Sequence, residues 1–118
     1  MKKSLQIQLN DNTSSTILVN VINTKETTLK VKDFLKHENE SYFLSISHNQ
    51  LNTHLDLTNV LNPYILIYLD EELRFTGASF CINYNESPFG IQSQNKHVLF
   101  SPFPTPFKFQ QFHSINFL

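Results

Sequence analysis

Cys81 carries the only thiol in the sequence and is therefore the first candidate for nucleophilic chemistry. It lies in the stretch ASFCINY, where the alternation places Phe80 and Ile82 on the opposite face of a predicted strand. A reactive thiolate needs a histidine or the N-terminus of a helix beside it, and the neighbouring sequence provides neither. We therefore predict a structural cysteine, with a small enzyme that uses Cys81 as the less favoured alternative.

The histidines are the next candidates, because neutral imidazole is a common metal ligand. The sequence has five of them: His37, His48, His54, His97 and His113. His48 and His54 share one loop, without helical i, i+4 spacing and without a cysteine nearby. Zinc sites usually combine paired ligands at short spacing. The sequence therefore predicts exposed loop histidines and no metal site.

Two further motifs could hold a cation or a phosphate. The first is the acidic run Asp70, Glu71 and Glu72, but Mg²⁺ and Ca²⁺ need oxygen ligands that converge from several directions. Consecutive residues on an extended chain diverge, so we interpret the run as a solvated strand end. The second is glycine, which occurs only at Gly77 and Gly90, too sparsely for a loop that cradles phosphate. We expect no catalytic residue, no cofactor and no small-molecule substrate.

The composition narrows the class of protein further. The 118 residues include 10 acidic and 9 basic side chains, and the formal net charge is −1. This balance argues against a nucleic-acid-binding protein, which needs a concentrated basic face. No apolar run has the length of a membrane span. A single cysteine excludes an internal disulfide framework, and no secretory signal opens the sequence. We expect a soluble intracellular protein of the cytoplasm or nucleus.

The first elements that must position any site are two strands and a helix. Residues 4–9, SLQIQL, alternate apolar and polar, NDNTSS is rich in turn formers, and TILVNVIN reads as the second strand of a hairpin. Thr27 is then a possible cap for a helix over LKVKDFLKHENE. In this segment Val31, Phe34 and Leu35 form one apolar stripe at helical spacing.

The following segments complete the predicted sheet. SYFLSISH is typical of a third strand, and NQLNTHLDLTNVLNP indicates a long loop that holds a short helical turn. YILIYL is the most apolar run and predicts a central strand, in which Ile65, Ile67 and Leu69 face the helix.

This order of elements resembles the ubiquitin-like, or β-grasp, family. The segments that carry the resemblance are LQIQL, TILVNV, TTLKVKDFL, NQLNTHLDLTNV and YILIYL. It implies an α+β fold in which a mixed sheet packs on one helix. The ubiquitin-like domain would span 1–75, and 76–118 would be a Phe/Pro-rich, partly β extension. Thr28, where the family has an aliphatic residue, and the short link between Leu35 and Tyr42 depart from the pattern.

Two features near the domain boundary imply different roles within that family. SFCINYNESPF is similar to the start of the extension in elongin B-type members, which implies an adaptor subunit of a ubiquitin-ligase complex. LRFTG ends at Gly77, so a modifier precursor processed after Gly77 is an alternative. We prefer a Thr-Gly turn between two strands, because the modifiers usually end in two glycines.

The aromatic residues of the extension predict protein–protein contact. Residues 97–118 contain three prolines together with Phe103, Phe107, Phe109, Phe112 and Phe117. If exposed, these five rings would strongly favour association. The tail either covers its own domain or, as we favour, docks on a partner. With Tyr64, Leu66 and Tyr68 facing outward, the predicted partner-binding residues are Phe43, Leu66, Tyr68, Phe103, Phe107, Phe109 and Phe112. The predicted function is a non-catalytic adaptor or scaffold subunit of a larger assembly.

Overall fold

The computed structural model describes residues 2–34, 40–47, 52–56, 63–81, 89–92 and 96–118, and 67% of these residues are in strands, against 7% in helices. The described elements, in chain order, are the strands β1 (Lys2–Leu9), β2 (Ser14–Thr24) and β3 (Thr28–Lys30), the helical turn α1 (Val31–Phe34), β4 (Ser41–Ile46), β5 (Asn52–Asp56), β6 (Tyr64–Leu69), β7 (Phe75–Cys81), β8 (Phe89–Gln92), β9 (His97–Pro102), a 3₁₀ turn (Phe109–Gln111) and β10 (Phe112–Phe117).

The strands form two sheets. The larger sheet has the order β10-β1-β2-β4-β9-β6-β7, and the smaller has the order β3-β5-β8. The pairs β2–β4 and β3–β5 are parallel, and the other pairs are antiparallel. A parallel pair needs a crossover connection, and the segment between β2 and β4 supplies it while contributing β3 to the second sheet.

The predicted opening hairpin is confirmed. β1 pairs with β2 in antiparallel register, with Leu5 opposite Ile17, and Leu5, Ile7 and Leu9 are buried on one face. In the turn, Asn12 has a φ of 68°, a left-handed conformation that asparagine tolerates better than most residues. The alternation of apolar and polar residues therefore specified this hairpin correctly.

The larger sheet curls around an apolar cluster that we call the inner core. Its members come from both ends of the sheet: Leu5, Ile7, Leu9, Val19, Phe43, Ile65, Ile67, Leu69, Leu99, Phe107, Phe112 and Ile115. The two edges of the sheet meet at a bridge between Arg74 and Ser114. There the amide of Ile115 donates to the carbonyl of Leu73 at 3.0 Å. The result is a curled half-barrel.

The opposite face of the same sheet carries a second cluster, the outer core, over which the smaller sheet packs. Its buried members are Leu29, Val31, Tyr42, Leu44, Ile46, Leu55, Tyr64, Leu66, Val98 and Phe100. The rings of Tyr64 and Phe100 stack at 4.5 Å between centroids. Successive residues of a strand point to opposite faces, so β4, β6 and β9 supply buried side chains to both cores.

The predicted α+β fold is wrong, and so is the resemblance to the ubiquitin-like family and to elongin B-type adaptors. Thr28–Lys30 is a strand, and the described helix covers only Val31–Phe34. Leu29 and Val31 are buried two positions apart, a spacing that suits a strand. Residues 35–39, including the third member of the predicted helical stripe, lie outside the described residues.

The prediction of YILIYL as a central strand is confirmed, whereas the predicted loop that precedes it contains a strand. SYFLSI and YILIYL form β4 and β6, and β6 has a neighbour on each side. The predicted loop contains β5, in which Thr53 and Leu55 are buried. β9 was not predicted, although it lies between β4 and β6. The larger sheet therefore joins strands from both predicted segments, 1–75 and 76–118.

Gly77 was predicted to form a turn, and this is wrong. It lies within β7, opposite Tyr68 in the register of the hairpin with β6. The turn between these strands instead spans Asp70–Arg74, where Leu73 has a φ of 64°. A glycine in a paired strand does not form the flexible terminus that a processed modifier needs. No helix among the described residues is long and apolar enough to cross a membrane.

Phe112→Ala tests whether the last strand stabilises the fold. Phe112 is 3% exposed in the inner core, so we expect its truncation to lower the free energy of unfolding by about 3 kcal/mol or more. His113→Ala, at the exposed adjacent position of the same strand, should change it by about 0.5 kcal/mol or less. Urea denaturation followed by circular dichroism measures both values. Equal, small effects would contradict the packing of β10.

Candidate functional site

A cavity of about 300 Å³ opens at one end of the curled sheet, directly beyond the inner core. We call it the His97 cavity. It is lined by four apolar and five polar or charged side chains: Val21, Phe43, Leu73 and Phe117, and Lys3, Asn23, Ser45, Glu71 and His97. Its volume lies at the lower end of the range of small-molecule sites, which also combine an apolar wall with a few polar groups.

The period of two along the strands explains why polar residues line this cavity. In β1, Leu5 and Ile7 face the inner core, so Lys3 lies on the same face one repeat further along. The same step places Ser45 beyond Phe43 in β4, because these two residues are also separated by one repeat. The strands thus end on the core-facing side with residues that can bind polar groups.

His97 lies at the centre of the contacts that the cavity residues make with one another. Its ring stacks on that of Phe43, with centroids 5.5 Å apart and planes at 19°. Its Nδ1 lies 3.3 Å from the hydroxyl of Ser45, which is its partner in the β4–β9 register. The ring of Phe117 meets Phe43 edge-on at 5.0 Å. The imidazole is therefore held flat against an aromatic wall.

Burial lowers the pKa of the His97 imidazole below its ordinary value of 6.5, while the charges of Glu71 and Asp70 partly oppose this shift by raising it. The imidazole is therefore mainly neutral at pH 7. A neutral ring has one donor and one acceptor nitrogen. With Nδ1 beside Ser45 and one ring face stacked on Phe43, the imidazole can offer Nε2 to a ligand as its remaining polar atom.

The turn between β6 and β7 positions two cavity residues, Glu71 and Leu73. The carboxylate of Asp70 accepts hydrogen bonds from the amides of Glu72 at 2.9 Å and Arg74 at 3.0 Å. The hydrogen bond from the Arg74 amide is the main cause of the lowered pKa of Asp70. An ionised Asp70 thus fixes this short turn at the rim of the cavity.

The two charged groups of the cavity have no ion pair within the described ranges. Lys2 pairs with Glu40, and Arg74 pairs with both Asp70 and Glu72. Lys3 instead has its Nζ 5.7 Å above the ring of Phe117, and Glu71 interacts with His97 only at a distance. The cavity therefore offers one ammonium group and one carboxylate to a ligand.

The predicted partner-binding residues of the sheet lie in different places. Phe43 is buried beneath His97 and lines the cavity, whereas Leu66 is fully buried in the outer core. Tyr68 is partly buried against the same outer core. Both faces of the larger sheet are covered, so neither Phe43 nor Leu66 lies on an exposed sheet face, whereas the sequence predicted an exposed face for them.

The predicted tail residues separate into two pairs. Phe107 and Phe112 are buried in the inner core, with ring centroids 5.8 Å apart. Phe103 and Phe109 instead meet Phe80 on the surface. The three rings contact one another edge-on, with centroids 5.4 to 5.8 Å apart. We call Phe80, Phe103 and Phe109 the aromatic cluster. The partner-binding role of all these residues stays a prediction.

The other candidates from the sequence do not come together in the described residues. No group of three or more His, Cys, Asp or Glu side chains among them could hold a metal ion. Cys81 ends β7, and His54 is exposed in β5. His48 lies outside the described residues.

Lys3, which lines the His97 cavity, was not singled out from the sequence. Its signal would have been a polar residue at the core-facing end of an alternating strand.

Comparisons with known proteins establish the fold alone. No protein-family model matches the chain, and no curated protein matches it. The structure is similar to that of a putative transcription regulator from Sinorhizobium meliloti 1021, with a TM-score of 0.71 over 99% of this chain and 94% of that one, at 7% identity. It is also similar to a protein of unknown function from Novosphingobium aromaticivorans DSM 12444, with a TM-score of 0.65 over 96% and 83% of the two chains, at 10% identity.

The lowered pKa of His97 predicts how stability changes with pH. The unfolded chain binds this proton more tightly than the folded chain, so acidification favours unfolding. The free energy of unfolding should fall as pH decreases from about 7.5 to about 5.5, the range in which an unfolded histidine gains its charge. Urea denaturation across this range measures the dependence. In His97→Gln it should become shallower, and an unchanged dependence would contradict the assignment to His97.

Proposed function

We propose that this chain is a non-catalytic protein-interaction module, and that the aromatic cluster is its contact surface. The observation that carries the proposal is the exposure of two phenylalanine rings that pack on a third. Phe80 and Phe103 are 46% and 39% exposed, and they contact each other and the partly buried Phe109. Contiguous apolar surface of this kind is typical of a site that another protein covers.

The composition of the cluster supports a protein partner. Aromatic residues are enriched at the buried centres of protein interfaces, and charged residues are depleted there. The cluster consists of phenylalanines from β7, from the segment after β9 and from the 3₁₀ turn. Covering such rings stabilises a complex by roughly 25 cal/mol for each Å² of apolar surface removed from water. The occupant that fits is an apolar segment of a different protein.

Two other roles have weaker support. The name of the Sinorhizobium meliloti neighbour suggests gene regulation, but at 7% identity it does not indicate nucleic-acid binding by this chain. The 9 basic and 10 acidic residues of this chain also argue against a surface that binds the phosphates of a nucleic acid. A metal-dependent enzyme lacks support as well, because the described residues contain no cluster of metal ligands.

Site-specific photo-crosslinking tests the proposal in extracts of the native source. A photoreactive phenylalanine analogue would replace Phe80, Phe103 or, as a control, Leu18, which is 55% exposed on β2. We expect the two cluster positions to give the same discrete adduct with another protein, because both rings belong to one contact surface. The control position should not give this adduct. Denaturing electrophoresis and mass spectrometry identify the product.

A second substitution in the crosslinking protein distinguishes specific contact from non-specific hydrophobic association. Phe80→Ser should reduce the adduct formed from position 103 several-fold, because it removes an edge-on ring from the surface. Leu18→Ser, which removes an exposed apolar side chain elsewhere, should leave the yield unchanged. Adducts of the same pattern at all three positions, or none at Phe80 and Phe103, would refute the proposal. An adduct with a second copy of the chain would show self-association instead.

A further inference from the structure

The His97 cavity contains a lysine and a glutamate that do not pair with each other, unlike those of a second cavity in the structure. A second cavity, of about 320 Å³, is lined by Lys2 and Glu40 among others. There the ammonium and the carboxylate are 2.8 Å apart and pair with each other. In the His97 cavity, by contrast, Lys3 and Glu71 line the same space but form no ion pair with each other. A ligand can therefore engage both charges without displacing an existing ion pair.

We propose that the His97 cavity binds a free α-amino acid with an apolar or aromatic side chain. The ammonium of Lys3 would receive the carboxylate of the ligand, and the carboxylate of Glu71 would receive its ammonium. A zwitterion is the small ligand that complements one positive and one negative group together. Each contact is a hydrogen bond between charged groups, the strongest class of polar contact in proteins.

The wall of the cavity fits the side chain of such a ligand. Phe43 and Phe117 form an edge-on aromatic pair, and Val21 and Leu73 add aliphatic surface. An aromatic ligand ring packs on such a surface in offset or edge-on geometry, which contributes beyond the burial of its area. The face of His97 is already stacked on Phe43, so the wall is formed before a ligand arrives.

The remaining polar groups can select between ligands of similar shape. The hydroxyl of Ser45 holds one nitrogen of His97, and the amide of Asn23 lies on the same lining. The amide offers both a donor and an acceptor. These uncharged groups can form hydrogen bonds with polar atoms of the ligand close to its carboxylate and ammonium. Lys3 and Glu71 in turn require that the ligand carries both of those charged groups.

Isothermal titration calorimetry of the full chain with L-phenylalanine, L-tyrosine and L-leucine tests the proposal at about pH 7.5, where a neutral His97 adds no charge. We expect saturable binding of at least one of them. Lys3→Gln and Glu71→Gln should each weaken it roughly tenfold, the effect expected for loss of one hydrogen bond between charged groups. Lys2→Gln and Glu72→Gln are matched controls, because they change the same charges one position away and outside this cavity.

Blocked ligands assign each charge to its partner. L-phenylalaninamide lacks the carboxylate, so it should bind more weakly, and Lys3→Gln should affect it little. N-acetyl-L-phenylalanine lacks the ammonium, so its residual binding should be insensitive to Glu71→Gln. Circular dichroism checks that each variant is folded.

Absence of saturable binding by all three amino acids at millimolar concentration would overturn the proposal. Equal losses in the cavity variants and in their controls would also overturn it, as would tighter binding of the blocked ligands than of L-phenylalanine. Tighter binding of the dipeptide Phe-Ala than of L-phenylalanine would overturn the free amino acid in favour of a peptide N-terminus. The crosslinking result at the aromatic cluster is independent, because that cluster shares no residue with this cavity.

Discussion

Burial of both faces of one sheet is the constraint on which the structure depends. β4, β6 and β9 carry apolar side chains on both sides, so a single cover would leave half of them in water. Burying one large apolar side chain is worth roughly 2 kcal/mol. The smaller sheet covers one face, and the curl of the larger sheet covers the other with its own edge strands. The cavity follows from this arrangement, because the curl leaves one end of the inner core open.

The elements that were predicted correctly are those whose hydrophobic pattern lies within one short segment of the sequence. Alternation specified the opening hairpin, and continuous apolar runs specified β4 and β6. The helix prediction was wrong because the apolar residues of this segment fit two structures. Leu29 and Val31 lie two positions apart, as in a strand, whereas Val31 and Phe34 lie three positions apart, as in a helix. Thr28 pairs with His54 of β5, and no local window contains that contact. Tertiary pairing therefore decided the structure of β3.

The candidate site could be predicted less well than the fold, because its residues are distant in the sequence. Lys3 is the second residue of β1, Glu71 lies in a turn and Phe117 is the last residue of β10. Only the closure of the sheet brings the three to one cavity. The aromatic tail was correctly recognised as unusual, but its rings divide between interior and surface. Phe107 and Phe112 are buried because the 3₁₀ turn and β10 fold back on the inner core.

The pairing of β1 with β10 has a consequence for biosynthesis. β1 is synthesised well before β10, the strand that borders it, with Leu5 opposite Phe117. Until translation reaches that partner, β1 presents an unpaired outer edge, and its apolar side chains lack the residues that later cover them. Such edges recruit other extended chains. The outer edge of β1 is therefore open to such chains during the interval between synthesis of β1 and synthesis of β10.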